Sequence, residues 1–150
     1  MRRKPAVRSP FLIAAFLLVS FLLTACGSSG GRKEAPDVDL SAMSDTVAYA
    51  GIAGMNAEPE RYLGKTVRVS GMFDVYWDNL TGNVYYACVI PDATACCVQA
   101  LEFVPKESFS FPEDFPDVGD PITVTGTFAT YSENGYEYCT LKDAEILLPE

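Results

Sequence analysis

Hydrophobic and polar positions divide the chain into three stretches of different character. Residues 11–23 form an apolar run interrupted only by Ser20, and residues 27–42 are rich in Gly, Ser, Pro and charge. From Ser44 onward the apolar positions become periodic. Because Gly/Ser-rich and charged stretches behave as flexible linkers, the pattern predicts a leader over 1–25, a tether over 26–43 and one domain over 44–150.

Within the domain, the periodicity predicts a short helix followed by five strands. Ser44 is a residue type that caps helices, and the apolar positions after it have helical spacing. Pro59 and Gly64 are placed as the start and the end of a further helical turn. The strands are predicted where apolar and polar residues alternate between turn residues, namely at 66–77, 84–90, 96–104, 121–131 and 136–148.

The N-terminal stretch has the order of features found in secretory signals. Four basic residues precede the apolar run, which is shorter than the roughly 20 residues that span a bilayer as a helix. The run ends in Leu23-Thr24-Ala25-Cys26, followed directly by Gly and Ser residues. This segment resembles the lipobox of bacterial lipoproteins. The resemblance implies that Cys26 is diacylated and that the mature chain is anchored at the extracytoplasmic face of the cell membrane. The alternative is an ordinary signal peptide or membrane anchor that contains a cysteine by chance.

Composition and charge exclude several classes of function. The chain has 150 residues and no histidine, so it has no Ser-His-Asp or Cys-His pair and no histidine-based zinc site. It carries 11 basic and 20 acidic residues, and loss of residues 1–25 changes the net charge from −9 to −13. Because phosphate binding requires clustered Lys and Arg, we expect no nucleic-acid partner. No pair of nucleophile and base is apparent, so we expect no enzyme.

The strand pattern resembles that of an OB-fold. The segments GKTVRVSG at 64–71 and DPITVTGTF at 120–128 are similar to those of tRNA-anti-like OB domains in extracytoplasmic lipoproteins of uncharacterised function. The resemblance covers about residues 56–148. It implies a mainly β fold, a small five-stranded OB-like Greek-key barrel with a short N-terminal helix. Another small β-barrel or a half-open sandwich is the alternative.

Four cysteines fall inside the predicted domain. Cys88 lies on the second predicted strand, Cys96 and Cys97 open the third, and Cys139 lies on the fifth. In an OB-fold the third strand lies between the second and the fifth, so these strands are expected to bring all four thiols into one patch. Consecutive residues of a strand point to opposite faces, so Cys96 and Cys97 share a site only at a bulge or a strand end. Cys97 and Cys139 each lie an even number of residues from nearby leucines that are expected in the core. Since side chains of a strand alternate between its faces, these two cysteines are predicted on the core side.

Three interpretations of the thiols stay open. An exported domain with an even number of cysteines commonly forms disulfides, here one or two cross-strand pairs among Cys88, Cys139 and one of Cys96 and Cys97. Alternatively, the thiolates bind Zn²⁺ or Cu(I), with Asp92 as an oxygen ligand. The third interpretation is a redox-active pair, although the chain lacks a Cys-x-x-Cys motif.

Two further features bear on partners. The segment IPDATACC at 90–97 resembles extracytoplasmic OB-like domains of permease subunits, which implies a membrane transporter or another surface protein as partner. Phe109, Phe111 and Phe115 lie in a long loop, where they either cap the open end of the barrel or form a partner-binding surface. The sequence therefore predicts a membrane-anchored, non-enzymatic binding or accessory module. The alternative is a structural or protein-interaction domain with disulfide-bonded cysteines.

Overall fold

The computed structural model describes residues 35–106, 109 and 111–148, which contain one sheet and a single α-helix. The elements in chain order are β1 (Val38–Asp39), α1 (Asp45–Ala57), a 3-10 turn (Pro59–Arg61), β2 (Thr66–Trp77), β3 (Val84–Pro91), β4 (Val98–Pro105), β5 (Pro121–Glu133) and β6 (Tyr136–Leu147). The prediction of a mainly β domain with one preceding helix is confirmed. The leader, Cys26 and the first part of the tether lie outside the described residues.

The sheet has six strands in the order β1-β2-β3-β4-β6-β5, and β5 also pairs with β2. The β1–β2 and β4–β6 pairs are parallel, and the others are antiparallel. The five predicted strands are all present with small shifts at their ends. The shift that affects the cysteines is at β4, which begins at Val98 and so leaves Cys96 and Cys97 in the preceding turn. Within the described residues, no helix is long and apolar enough to cross a membrane.

The folded domain begins earlier than the predicted boundary at residue 44. Val38 pairs with Val67 of β2, and the backbone N–H of Leu40 donates to the Arg68 carbonyl at 2.8 Å. Leu40 is buried in the core. Residues 38–40 therefore belong to the folded sheet and not to the flexible tether that was predicted over 26–43. A two-residue edge strand is too short to produce an alternating pattern, so it carries no strand signal in the sequence.

The core lies between the strands and one face of α1. The helix buries Ala48, Ile52 and Met55, while the strands bury large side chains that include Phe73, Phe103 and Phe128. Burial of such side chains is the main stabilising contribution in a domain of this size.

The loop after β4 covers this core with aromatic rings. Phe115 is 8% exposed and stacks on Phe73 and Tyr86, with ring centroids 5.0 and 4.3 Å apart. Phe109 and Phe111 are half-buried around it. This arrangement favours the capping interpretation over a partner-binding surface, because Phe115 is not accessible.

Gly71 lies where β2 passes from one neighbouring strand to the other. Residues 66–72 of β2 pair with β5, and residues 72–77 pair with β3. A Cβ atom at Gly71 would lie 2.6 Å from the Val89 carbonyl oxygen and 2.8 Å from the Cys88 sulfur. Only glycine allows this close approach of the two backbones.

We predict that Gly71→Ala lowers the free energy of unfolding by roughly 1–3 kcal/mol, because the added methyl group overpacks the β2–β3 contact. Gly54→Ala is the matched control. Its Cβ would meet only the Tyr62 hydroxyl at 3.9 Å, so the better helix propensity of Ala should stabilise the domain by roughly 0.5–1 kcal/mol. Urea unfolding of both variants measures the effects, and equal changes in the same direction would contradict the prediction.

Candidate functional site

The turn between β3 and β4 is organised by the side chain of Asp92. Its Oδ1 accepts hydrogen bonds from the backbone N–H groups of Thr94 and Cys96, each at 3.0 Å. The Asp92 N–H donates in turn to the Cys97 carbonyl at 2.8 Å, which closes the turn. Ala95 adopts a positive φ of 55°. Aspartate hydrogen-bonds its own following backbone readily, so this local sequence favours a tight turn.

The same turn brings two thiols and a carboxylate together. The Cys96 sulfur lies 3.3 Å from Asp92 Oδ2 and 3.6 Å from the Cys97 sulfur. One ligand atom from each of the three residues lies within 4.8 Å of the other two. Consecutive residues of a regular strand point to opposite faces. Cys96 and Cys97 can face one site because they lie in the turn before β4 begins. Both cysteines are exposed, so solvent and solutes reach the site.

The surroundings of this turn shift the pKa values of Asp92 and Cys97. Desolvation raises the pKa of Asp92, but hydrogen bonds from Cys96 and Thr94 outweigh it, and the net pKa is below the usual range. The hydrogen bond with Cys96 raises the pKa of Cys97, and desolvation and the Asp92 charge add to this. Like charges in one small site disfavour simultaneous ionisation, and a bound cation would remove that penalty.

Cys88 and Cys139 do not join this site. Cys88 is fully buried opposite Phe73, and desolvation raises its thiol pKa to about 12. Cys139 lies opposite Thr130 on β5 and packs partly against the core, as its parity predicted. The prediction that Cys97 faces the core is wrong, because Cys97 precedes the strand and is exposed. The expected patch of four thiols is therefore reduced to Asp92, Cys96 and Cys97.

Strand register also bears on the predicted cross-strand disulfides. Leu101 is opposite Cys88, and the β4–β6 register places Cys139 beside Leu101 on its other side. Cys88 and Cys139 are therefore two strand spacings apart, or about 10 Å. Cys97 lies four residues along the strand direction from Leu101, the residue opposite Cys88, which corresponds to about 13 Å. Bridged Cα atoms are seldom more than about 7 Å apart. The four thiols are free in this structure, and its register does not accommodate disulfides between Cys88 and either Cys139 or Cys97.

A second group of polar side chains, which sequence reasoning did not single out, lies between β3, β4, β5 and β6. Tyr131 donates to Glu102 at 2.6 Å, and Tyr85 donates to Glu133 at 2.6 Å. Asn83 donates to the same Glu133 at 3.1 Å, which ties the β2–β3 turn to the end of β5. Glu102 is half-buried, and desolvation raises its pKa. The sequence signal that could have identified this group is the position of Glu102 in the middle of a largely hydrophobic strand.

Comparison with models of protein families and with curated proteins finds no match to this chain.

We predict that the four domain thiols react in a fixed order with a thiol reagent. In the folded, reduced chain Cys96 and Cys97 should be labelled first, because both are exposed. Cys88 should be labelled only on unfolding, because it is fully buried and its thiolate is disfavoured. Mass spectrometry of peptides after timed alkylation gives the order. Labelling of Cys88 as fast as Cys96 in the folded chain would contradict the structure.

Proposed function

We propose that this chain is a membrane-anchored extracytoplasmic lipoprotein and a non-enzymatic binding module that holds a soft metal ion at the β3–β4 turn. The observation that carries the metal assignment is the convergence of Asp92, Cys96 and Cys97, with their ligand atoms within 4.8 Å of one another. Desolvated or hydrogen-bonded thiols alone would not favour a metal, but two thiols and a carboxylate on one tight turn form a ligand set.

The donor atoms favour Zn²⁺ and leave Cu(I) as the competing ion. Zn²⁺ accepts thiolate and carboxylate ligands together, whereas Cu(I) prefers sulfur. Three protein ligands leave a fourth position of a tetrahedral ion open. Because the turn is exposed, that position is accessible to another molecule. An open, exposed site suits a module that passes a metal ion to a membrane transporter or another surface protein, which is the partner class we propose.

The fold proposed for this module is an OB-like Greek-key barrel. Its support is the series of pairings from β2 through β3, β4 and β6 to β5 and back to β2. The parallel β4–β6 pair agrees with the strand order of that fold, in which the third and fifth strands are neighbours. The membrane anchor rests on the lipobox-like segment that ends at Cys26.

A structural or interaction domain with disulfide-bonded cysteines is the alternative. The candidate disulfide that remains compatible with the strand register is Cys96–Cys97, whose sulfur atoms are 3.6 Å apart. A bond between consecutive cysteines would occupy both thiol ligands and prevent metal binding. Counting free thiols in the unfolded, non-reduced chain separates the two functions, because four free thiols exclude the disulfide alternative.

We predict that the reduced chain binds one equivalent of Zn²⁺ and that Cys96→Ser and Cys97→Ser each weaken binding by more than about 10-fold. Cys139→Ser is the matched control and should bind as the wild type does. Asp92→Asn keeps the acceptor oxygen that organises the turn but removes the charge, so it should weaken Zn²⁺ binding more than Cu(I) binding. Competition with a chromogenic chelator measures each affinity. Equal affinity of the wild type and the Cys96→Ser/Cys97→Ser double variant would refute the metal assignment.

We predict that Cys26→Ser abolishes lipid attachment in the bacterial host that expresses the chain. The wild type should partition into the detergent phase and carry the added mass of acyl chains, because buried methylene groups supply the membrane affinity. The variant should lack that mass. If the wild type carries no acyl mass, residues 11–23 act as an ordinary signal or anchor and the lipoprotein proposal is wrong.

A further inference from the structure

A cavity between β3, β4, β5 and β6 lies away from the cysteine turn. It has a volume of about 330 Å³, and Glu102, Tyr131 and Thr140 supply its polar groups together with Asn83, Tyr85 and Lys142. The rest of its wall is largely apolar and includes Val84, Val104 and Pro105. We call it the Glu102 cavity. Apolar walls with a few convergent polar groups are typical of small-molecule sites.

In the Glu102 cavity the Tyr131 and Tyr85 hydroxyls and the Asn83 amide have their donors engaged, whereas the Glu102 carboxylate has accepting capacity available. The Tyr131 hydroxyl donates to Glu102 Oε2 at 2.6 Å, and among the described residues it is the single hydrogen-bond donor to that carboxylate. The Tyr85 hydroxyl and the Asn83 amide both donate to Glu133. An ionised carboxylate accepts about four hydrogen bonds, so Glu102 retains most of its accepting capacity. A ligand that donates hydrogen bonds would use this accepting capacity.

Thr140 provides an independent indication of a missing partner. It is 2% exposed, and its hydroxyl is the one buried side-chain polar atom without a hydrogen-bond partner among the described residues. Thr140 pairs directly with Glu102 across the parallel β4–β6 contact, so the two side chains lie on the same face of the sheet. A buried hydroxyl without a partner costs free energy. A ligand that donates to both Thr140 and Glu102 would remove that cost.

We propose that the Glu102 cavity binds the primary ammonium group of a small alkylamine. A primary ammonium has three N–H donors, and three acceptors line the cavity: the Glu102 carboxylate, the Thr140 hydroxyl opposite it in the β4–β6 pair and the Tyr131 phenol oxygen. The alkyl stem packs against the apolar wall formed by Val84 and Val104. This ligand class and site are separate from the metal site at the cysteine turn.

The negative charge of Glu102 and Glu133 favours an ammonium group over anionic or neutral ligands of similar size. An anion would be repelled by Glu102 and by nearby Glu133, whose charge acts on Glu102. A neutral polyol would supply donors but would not offset the desolvation that raises the pKa of the half-buried Glu102. Lys142 also lines the cavity, but it is exposed to solvent, which screens its repulsion of a second cation.

The test compares two probes of the same shape, butane-1,4-diamine and butane-1,4-diol, against the purified full-length chain. Amide chemical-shift titration should show saturable binding of the diamine, with shifts centred on Glu102, Tyr131 and Thr140, and no saturable binding of the diol. Glu102→Gln keeps the shape of the side chain and should weaken diamine binding by about tenfold or more, since it removes a charged acceptor. Glu60→Gln, at an exposed position on the 3-10 turn, is the matched charge control and should leave affinity unchanged.

Thr140→Val separates a binding role from a structural one. Valine replaces the unpartnered hydroxyl with a methyl group, so the free energy of unfolding should stay the same or rise, while diamine affinity should fall about two- to tenfold. Lys142→Met should retain or strengthen binding. Equal binding of the diol would assign the cavity to polyols, and loss of diamine binding in Lys142→Met would mean that the diamine is not held through its ammonium group beside Glu102. Either result overturns the proposal, as does the absence of saturable diamine binding up to millimolar concentrations.

Discussion

The double pairing of β2 is the constraint on which the rest of the structure depends. One strand hydrogen-bonds to β5 over residues 66–72 and to β3 over residues 72–77, so it connects the first and last parts of the sheet. The change of partner occurs at Gly71 and Met72, where the absence of a Cβ lets the backbone of β2 approach the Val89 carbonyl. Without this crossing, the β2–β3 turn and the β5–β6 hairpin would not meet, and the hydrogen bond from Asn83 to Glu133 would be lost.

The two candidate sites follow from this framework in different ways. The cysteine turn is local, because Asp92, Cys96 and Cys97 lie within six consecutive residues and one carboxylate organises their backbone. The Glu102 cavity is non-local, because Glu102 and Thr140 meet only through the parallel pairing of β4 with β6. A local site tolerates changes elsewhere in the sheet, whereas the cavity depends on strand register.

Both proposed ligands are cations, and this agrees with the charge of the chain. Acidic residues outnumber basic ones by 20 to 11 over the whole sequence. An acidic surface raises the local concentration of cations, and the two sites add specificity by different means. As proposed, the cysteine turn would select by soft sulfur ligands, while the Glu102 cavity would select by hydrogen-bond acceptors and an apolar wall. On these proposals the anchored domain is a cation-binding module at the membrane surface.

The sequence by itself determined the helix after Ser44 and the five long strands, because each of these depends on local alternation and turn chemistry. It named Asp92, Cys96 and Cys97 only as members of a larger set that included Cys88 and Cys139. It did not determine the two-residue β1, which is too short to carry a pattern. Only the tertiary structure decided that Cys88 and Cys139 lie apart from the turn and that Thr140 lies beside Glu102. Both facts depend on which residues stand opposite each other in neighbouring strands, and strand register is set by packing between distant segments that no local pattern encodes.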